Sequence, residues 1–353
     1  MTPLQDLLER AVASGVVPGA AALVARADEV EIGSVGEVGS DSIVRIASIT
    51  KPITAAAVML LVDEGLVRLD DPIARWLPEL ASPRVVRTPA SPIDDTVPAE
   101  RDITVEDILT FRAGWGFPSD FSLPAVAELF QKLPVFGSRE TPDEWLATLA
   151  RVPMLRQPGE AWLYNTCSDI QGVLIARAFG QPLPEFLAER IFEPLGMTDT
   201  GFHVPADKLD RLPVYHGPDL APIDDGLLRE PPVFPSGAGG LVSRLADWHR
   251  FGRMLLADGG GLLSPQSVRV MTTDHLSQDQ REASTLFLEG AGWGFGGAVT
   301  ADGRYGWVGG TGTTAHVAPS TGTIGILFTQ VQMTGPTPTP LMHEFWQYAF
   351  GAS

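Results

Sequence analysis

Cysteine occurs once in the 353 residues, at Cys167, so no internal disulfide can form and nothing in cysteine usage points to an oxidising compartment. Lysine is almost as scarce. Lys51, Lys132 and Lys208 are the lysines of the chain, and arginine supplies the rest of its 25 positive side chains. Against 43 acidic residues this leaves a formal net charge of −18. Nucleic acid and anionic membrane surfaces both need a basic patch, so neither is expected as a partner. No run of about 18 apolar residues is present, and no transmembrane helix is expected. The N-terminal stretch MTPLQDLLERAVASGVVPG reads as a short amphipathic helix. It lacks a basic segment followed by an apolar one, so no signal peptide is expected and a cytoplasmic location is the expectation.

Several chemistries lack their residues too. His203, His216, His249, His275, His316 and His343 are scattered, with no H-E-x-x-H or H-x-H spacing, so no metal site is expected. There is no G-x-S-x-G elbow and no G-x-x-x-x-G-K phosphate loop. The G-x-G within GWGFGG (292–297) is not followed by a β-α-β unit, which argues against a dinucleotide site. No cofactor is expected.

What is present is a large reserve of apolar residues. Hydrophobic residues make up 44% and charged ones 19%, enough core for one large domain or two moderate ones. Residues 19–38 contain two β-like runs about a polar turn, a hairpin signal. A helix is expected at about 51–65, and the proline-rich stretch 82–101 reads as loop. TVEDILTFRAG opens with a Thr cap and ends at Gly114, a helix by both end signals. CSDIQGVLIARAFG, PLPEFLAERIFEPLG and SRLADWHRFGRMLLADGGG are apolar-periodic helices. From about 290 the pattern becomes glycine-rich alternating strands separated by tight turns, and PLMHEFWQYAFGA closes the chain as a helix. Strands at both ends and helices between them predict an α+β fold. One antiparallel sheet is built from the N- and C-terminal segments and flanked by the terminal helices. Residues 1–65 and 257–353 would form this sheet domain, 66–256 an inserted, mainly helical one, with the active site between them.

The rare lysine at 51 stands three places after Ser48, at the start of an apolar helix. Residues i and i+3 share a helix face. A lysine in an apolar pocket loses basicity, and a helix N-terminus favours developing negative charge, so the pair has the parts of an activated serine nucleophile. S-x-x-K alone fits a helix cap beside a surface lysine equally well. Two details favour chemistry. PITAAAVMLLV is apolar nearly all round, so Lys51 needs a partner or a function there. Pro52 also disfavours helical backbone at Lys51, a local conflict of the kind that gathers at functional sites.

Two further centres stand out. PGEAWLYNTCSDIQG (158–172) carries Tyr164 and Asn165 into an apolar helix, where a tyrosine near a lysine can relay protons or simply pack at an interface. GWVGGTGTTAHVAPSTG (306–322) is a strand with glycines that either permits close approach of a substrate, completing an oxyanion hole, or is only a glycine-rich hairpin.

These three centres in this order resemble the serine β-lactamase and penicillin-binding-protein superfamily, and more specifically its class C β-lactamase-like esterases, the family VIII carboxylesterases. The resemblance covers nearly the whole chain. It is carried by SITKPITAAAVMLLVDEG, ITVEDILTFRAG, PGEAWLYNTCSDIQGVL, IFEPLGMTDTGF (191–202), PSGAGGLVSRLADWHRFGRMLL (235–256), GWGFGGAV and GWVGGTGT. It implies Ser48 as nucleophile, Lys51 and Tyr164 as the general-base pair, and the backbone N–H groups of Ser48 and Gly310 as the oxyanion hole. Trp307-Val308-Gly309 stands where β-lactamases carry Lys-Thr-Gly, and Tyr164-Asn165-Thr166 where they carry Tyr-Ser-Asn. Phe111-Arg112-Ala113 replaces a more usual His-Thr-Ser. The resemblance therefore implies hydrolysis of a small uncharged carboxylic ester, with Trp307, Gly309, Gly310 and Thr166 meeting the substrate. β-Lactam or D-amino-acid amide hydrolysis, cyclic-dimer amidase activity and acyl transfer are alternatives on the same site. A non-catalytic binding protein is the alternative outside enzymes. Trp115, Phe117, Trp162 and Trp307 are candidates for an apolar pocket wall.

Overall fold

A computed structural model describes residues 2–27, 29–134, 138–224 and 226–351. Helix α1 (Pro3–Ala13) starts at a Thr2 cap with proline in its first turn and buries Leu4, Leu7, Leu8 and Ala11. Strands β1 (Gly19–Arg26) and β2 (Glu29–Gly36) form the expected hairpin, in register from Gly19 with Gly36 to Arg26 with Glu29. The sequence GAAALVA of β1 is buried throughout, as an interior strand covered on both faces requires. The glycine-rich end of the chain forms the expected meander: β3 (Gly292–Trp293), β4 (Ala298–Val299), β5 (Tyr305–Gly309), β6 (Thr313–Ala318) and β7 (Thr323–Phe328). Strand β7 pairs with β1 from Ala21 with Phe328 to Arg26 with Thr323, so the two chain ends close one antiparallel sheet, order β2-β1-β7-β6-β5-β4-β3.

Helix α1 and the C-terminal helix α5 (Pro340–Phe350) cover one face of this sheet. Glycines let them come close: a Cβ on Gly33 would lie 3.1 Å from Leu8, and one on Gly325 would lie 2.8 Å from Phe350. The other face carries α4 (Leu245–Leu256), where Gly252 sits against Ile324 and Val317. That is a departure from the sequence reading, which grouped 245–256 with the inserted region. The amphipathic face of α4 is buried by the sheet.

Helix α2 (Lys51–Asp63) lies between the sheet and the inserted region, and all its residues from Lys51 to Leu61 are buried. It packs against α3 (Thr166–Phe179) of the inserted region. The apolar all-round pattern of α2 is thus the pattern of a central helix. The stretch 82–101 is not wholly loop. Arg84–Val86 pairs with Thr96–Pro98, and side-chain bonds from Arg84 to Thr96 and Arg87 to Asp95 hold the excursion together.

Candidate active site

The site is built where the sheet edge, α2 and α3 meet. Residues Ala47–Thr50 form a 3-10 turn that runs directly into α2. Ala47 has φ +45°, a left-handed backbone that an alanine adopts only when its surroundings impose it. The strands impose it here. Thr311 and Gln330 donate to the carbonyl of Arg45 at 2.7 and 3.0 Å, and Thr313 donates to that of Ile46 at 2.9 Å. The bend turns Ser48 toward a small cavity of about 160 Å³, lined by Ser48, Phe117, Tyr164, Asn165, Phe287, Trp307, Gly310 and Met333 among others.

Lys51 is helical, φ −56° and ψ −44°, in spite of Pro52. Pro52 occupies the first turn of α2, where its missing N–H has no helical acceptor to serve. The Lys51 side chain is wholly buried. Its Nζ donates to Ser48 Oγ at 2.9 Å and to the carbonyl of Ala238 at 2.6 Å, and it lies 4.7 Å from the centre of the Tyr164 ring. Burial pulls its pKa down to about 7, against the opposing pull of the Asp169 charge.

Asp169 was not expected at the site. It sits in the first turn of α3, and its Oδ1 accepts from Ser236 Oγ at 2.7 Å and from the Ala238 N–H at 3.1 Å. It therefore fixes the loop whose next carbonyl receives Lys51. Its own pKa is raised by burial, opposed by these hydrogen bonds and by the charge of Lys51. In the sequence it reads as an acid at a helix start, and no local signal connects it to a lysine 118 positions earlier.

Tyr164 faces Ser48 from α3's side. Trp307 Nε1 donates to its hydroxyl at 2.7 Å, and Ser48 is a second hydrogen-bond partner. Burial pushes the phenol up to about 12, with both hydrogen bonds opposing, so the resting group is a neutral phenol and not a phenolate. The next residue, Asn165, has φ +83°. Backbone strain at 47 and 165 thus brackets the two groups that meet at the serine. Phe111, in place of the more usual histidine, has φ +60° and stacks its ring among Trp162, Tyr164 and Trp293.

Other expected site residues sort differently. Trp307 and Gly310 line the cavity. Gly309 does not; a Cβ there would lie 2.5 Å from the Ile46 carbonyl and 2.2 Å from Thr313 Oγ1, so glycine is needed for the strand to pack on the Ser48 turn. Thr166 does not reach the cavity either. It is buried as the first residue of α3, and Asn165 occupies the wall in its place. Among the aromatic candidates Phe117 lines the cavity, while Trp115 is buried with its indole N–H on the Val152 carbonyl and Trp162 is buried behind Tyr164. Phe287 and Met333 complete the wall from segments whose sequence carries no motif. Among the described residues, no cluster of three or more His, Cys, Asp or Glu side chains is placed to hold a metal. Likewise, no helix is long and apolar enough to cross a membrane.

A sheet closed by both chain ends, with Ser48 and Lys51 at the head of the central helix and a tyrosine opposite, is the architecture of the penicillin-binding-like hydrolases. The chain belongs to the beta-lactamase family, which it matches over residues 4–341. It is 40% identical to Protein Rv1367c of Mycobacterium tuberculosis over 79% of this chain and 75% of that protein. It is 30% identical to Esterase EstB of Burkholderia gladioli over 72% of this chain and 66% of the esterase. Among solved structures, EstCE1, described as a hydrolase with promiscuous acyltransferase activity, superposes with TM-score 0.84 over 99% of this chain and 97% of its own, at 21% identity.

Proposed function

We propose that the protein hydrolyses small carboxylic esters through an acyl-enzyme on Ser48. The observation that carries this reading is the 2.9 Å contact between Ser48 Oγ and a wholly buried amine whose pKa lies near 7. At neutral pH a large share of Lys51 is neutral and able to take the serine proton as Oγ attacks the ester carbonyl. The backbone N–H groups of Ser48 and Gly310 receive the developing oxyanion. Tyr164, neutral at rest, passes a proton from the Lys51 ammonium to the departing alkoxide, and the N–H of Trp307 steadies its oxygen meanwhile. The same relay in reverse takes a proton from water as it attacks the acyl-enzyme, releasing the acid. No metal is called for.

The wall opposite the serine favours an uncharged substrate. Trp307 presents an indole where a carboxylate of a lactam would need a cation. Arg304, the nearest cation in sequence, stacks on Trp346 and Phe350 of α5, on the opposite face of the sheet. The cavity beside the serine, about 160 Å³ and open to solvent on one side, accommodates a short acyl chain and lets a larger group extend outward. Intact-mass spectrometry after mixing with a fluorophosphonate or a slow p-nitrophenyl ester tests the proposal. One adduct on Ser48 is expected, and none on Ser48→Ala, a change that removes one oxygen and leaves the fold in place. An adduct on another serine would sink the assignment, and no adduct at all would favour the binding-protein alternative.

Acyl transfer is a second reading with its own support. Phe117, Phe287, Trp307 and Met333 make the cavity wall apolar, which slows water relative to an organic acceptor. Measuring ester exchange in the presence of a short alcohol separates the two: transfer product exceeding acid at low alcohol concentration makes the protein a transferase.

A further inference from the structure

On the face of the sheet away from Ser48 lies a second, larger hollow of about 820 Å³, between β4, β5 and α5. Its apolar floor includes Ala298 and Val308, and Trp346 closes one side. Arg304 stands at its inner end. This side chain is only 9% exposed, and its guanidinium is held between the rings of Trp346 and Phe350, 5.2 and 5.0 Å from their centres. Its Nε is buried with no acceptor, and none of its side-chain N–H groups meets a carboxylate or carbonyl among the described residues.

The neighbouring charges do not answer it. Asp302 turns one oxygen, Oδ1, to Thr300 and to the backbone N–H of Arg304; its carboxylate makes no ion pair with the guanidinium, which only its field reaches. His316, the other polar group at this end, is kept neutral by burial and turns Nδ1 to Thr314. Glu289, at the rim, faces His343 at 3.8 Å. Ring faces offset part of the cost of burying a cation, but they leave its fork of donors unused. A carboxylate satisfies that fork with two parallel hydrogen bonds. In a chain of net charge −18, a buried arginine with no ion-pair partner among the described residues, opening on an apolar hollow, is the reverse of the general surface.

We propose that this hollow is a binding site for an amphiphilic monocarboxylate, whose charged end pairs with Arg304 and whose hydrocarbon lies along Ala298, Val308 and Trp346. Strand β5 and Phe287 form the wall between it and the serine cavity, with Phe287, Trp307 and Val308 lining both, and the proposal does not depend on the ester-hydrolase reading. Octanoate is the probe, and octanamide its neutral control, with tryptophan fluorescence and calorimetry as readouts. Saturable binding of octanoate is expected, at least tenfold tighter than octanamide. Arg304→Met should weaken octanoate at least tenfold and leave octanamide within twofold. Because Arg304→Met removes a packed side chain, Ala298→Phe provides a second test that fills the hollow and keeps the cation; it should weaken both ligands. Equal affinity for acid and amide, binding of octanoate unchanged in Arg304→Met, or no saturable binding by the folded wild type would each overturn the proposal.

Discussion

Replacing Asp169 with asparagine isolates one charge. The asparagine carbonyl oxygen can still accept from Ser236 and from the Ala238 N–H, the two bonds that one carboxylate oxygen makes at 2.7 and 3.1 Å. The loop and the Ala238 carbonyl that receives Lys51 therefore stay in place. What is lost is the negative charge that raises the Lys51 pKa against burial, together with some of the acceptor capacity that the Gly237 N–H also uses. A single opposite charge at close range shifts a pKa by roughly 1–3 units. The wild-type acid limb of kcat/KM is expected at about 7, where Lys51 loses its proton and becomes a base. Without Asp169 the ammonium form is less stable, so the limb moves down, to between about 4 and 6 by that same range. At pH 6 the wild type keeps about a tenth of its plateau rate and the variant about half or more, each pKa unit being about 1.4 kcal/mol of differential stabilisation. The plateau itself falls modestly, because a less basic amine is a weaker proton acceptor. The assay is kcat/KM for p-nitrophenyl butyrate from about pH 3 to 9.5, with thermal melts to show that both proteins are folded throughout. A limb that stays at about 7, or moves up, refutes Lys51 as the titrating base under the influence of Asp169. A limb that vanishes assigns the titration to Asp169 itself.

Lys51→Ala and Tyr164→Phe should each lower kcat by about two orders of magnitude or more, with the double variant little worse than the worse single one, because the two groups act as a unit; multiplying effects in steady-state assays would separate their tasks. Trp307→Phe keeps a ring but deletes the 2.7 Å bond to the Tyr164 hydroxyl, and roughly 1 kcal/mol, about a fivefold loss in kcat with KM little changed, is expected from steady-state kinetics. Wild-type protein should hydrolyse short p-nitrophenyl esters much faster than nitrocefin, and Trp307→Lys should narrow the ratio of the two kcat/KM values; an unchanged ratio removes Trp307 from the substrate wall.

How much of this was legible beforehand divides along a physical line. The hairpin at 19–38, the apolar helix after Lys51, the glycine-rich meander and the closing helix are written in periods of two and of 3.6 and in turn residues, which act within a few positions. The Ser48–Lys51 contact was legible for the same reason, since one helical turn carries it. A rare lysine in an all-round apolar helix predicted a buried amine, and Lys51 is fully buried. The α+β fold followed from strands at both ends of the chain, although only the register of β1 on β7 shows how the ends join.

Tertiary packing decided the rest, because it sets which distant side chains converge. Asp169 is tied to the lysine by its charge and through the Ser236–Ala238 loop, which arrives from far along the chain. Asn165 took the wall expected of Thr166 because its left-handed backbone turns it out of α3 before the helix begins. The side of the sheet on which Arg304 falls, and the seating of α4 on β7 rather than among the inserted helices, depend on which face each partner covers. Sequence alone determined most of the secondary structure and the Ser48–Lys51 contact that a single helical turn can hold. The depth of the pocket, the charge that tunes its lysine and the aromatic wall opposite the serine are properties of surfaces brought together from distant stretches of chain, and only the packed structure sets the distances between them.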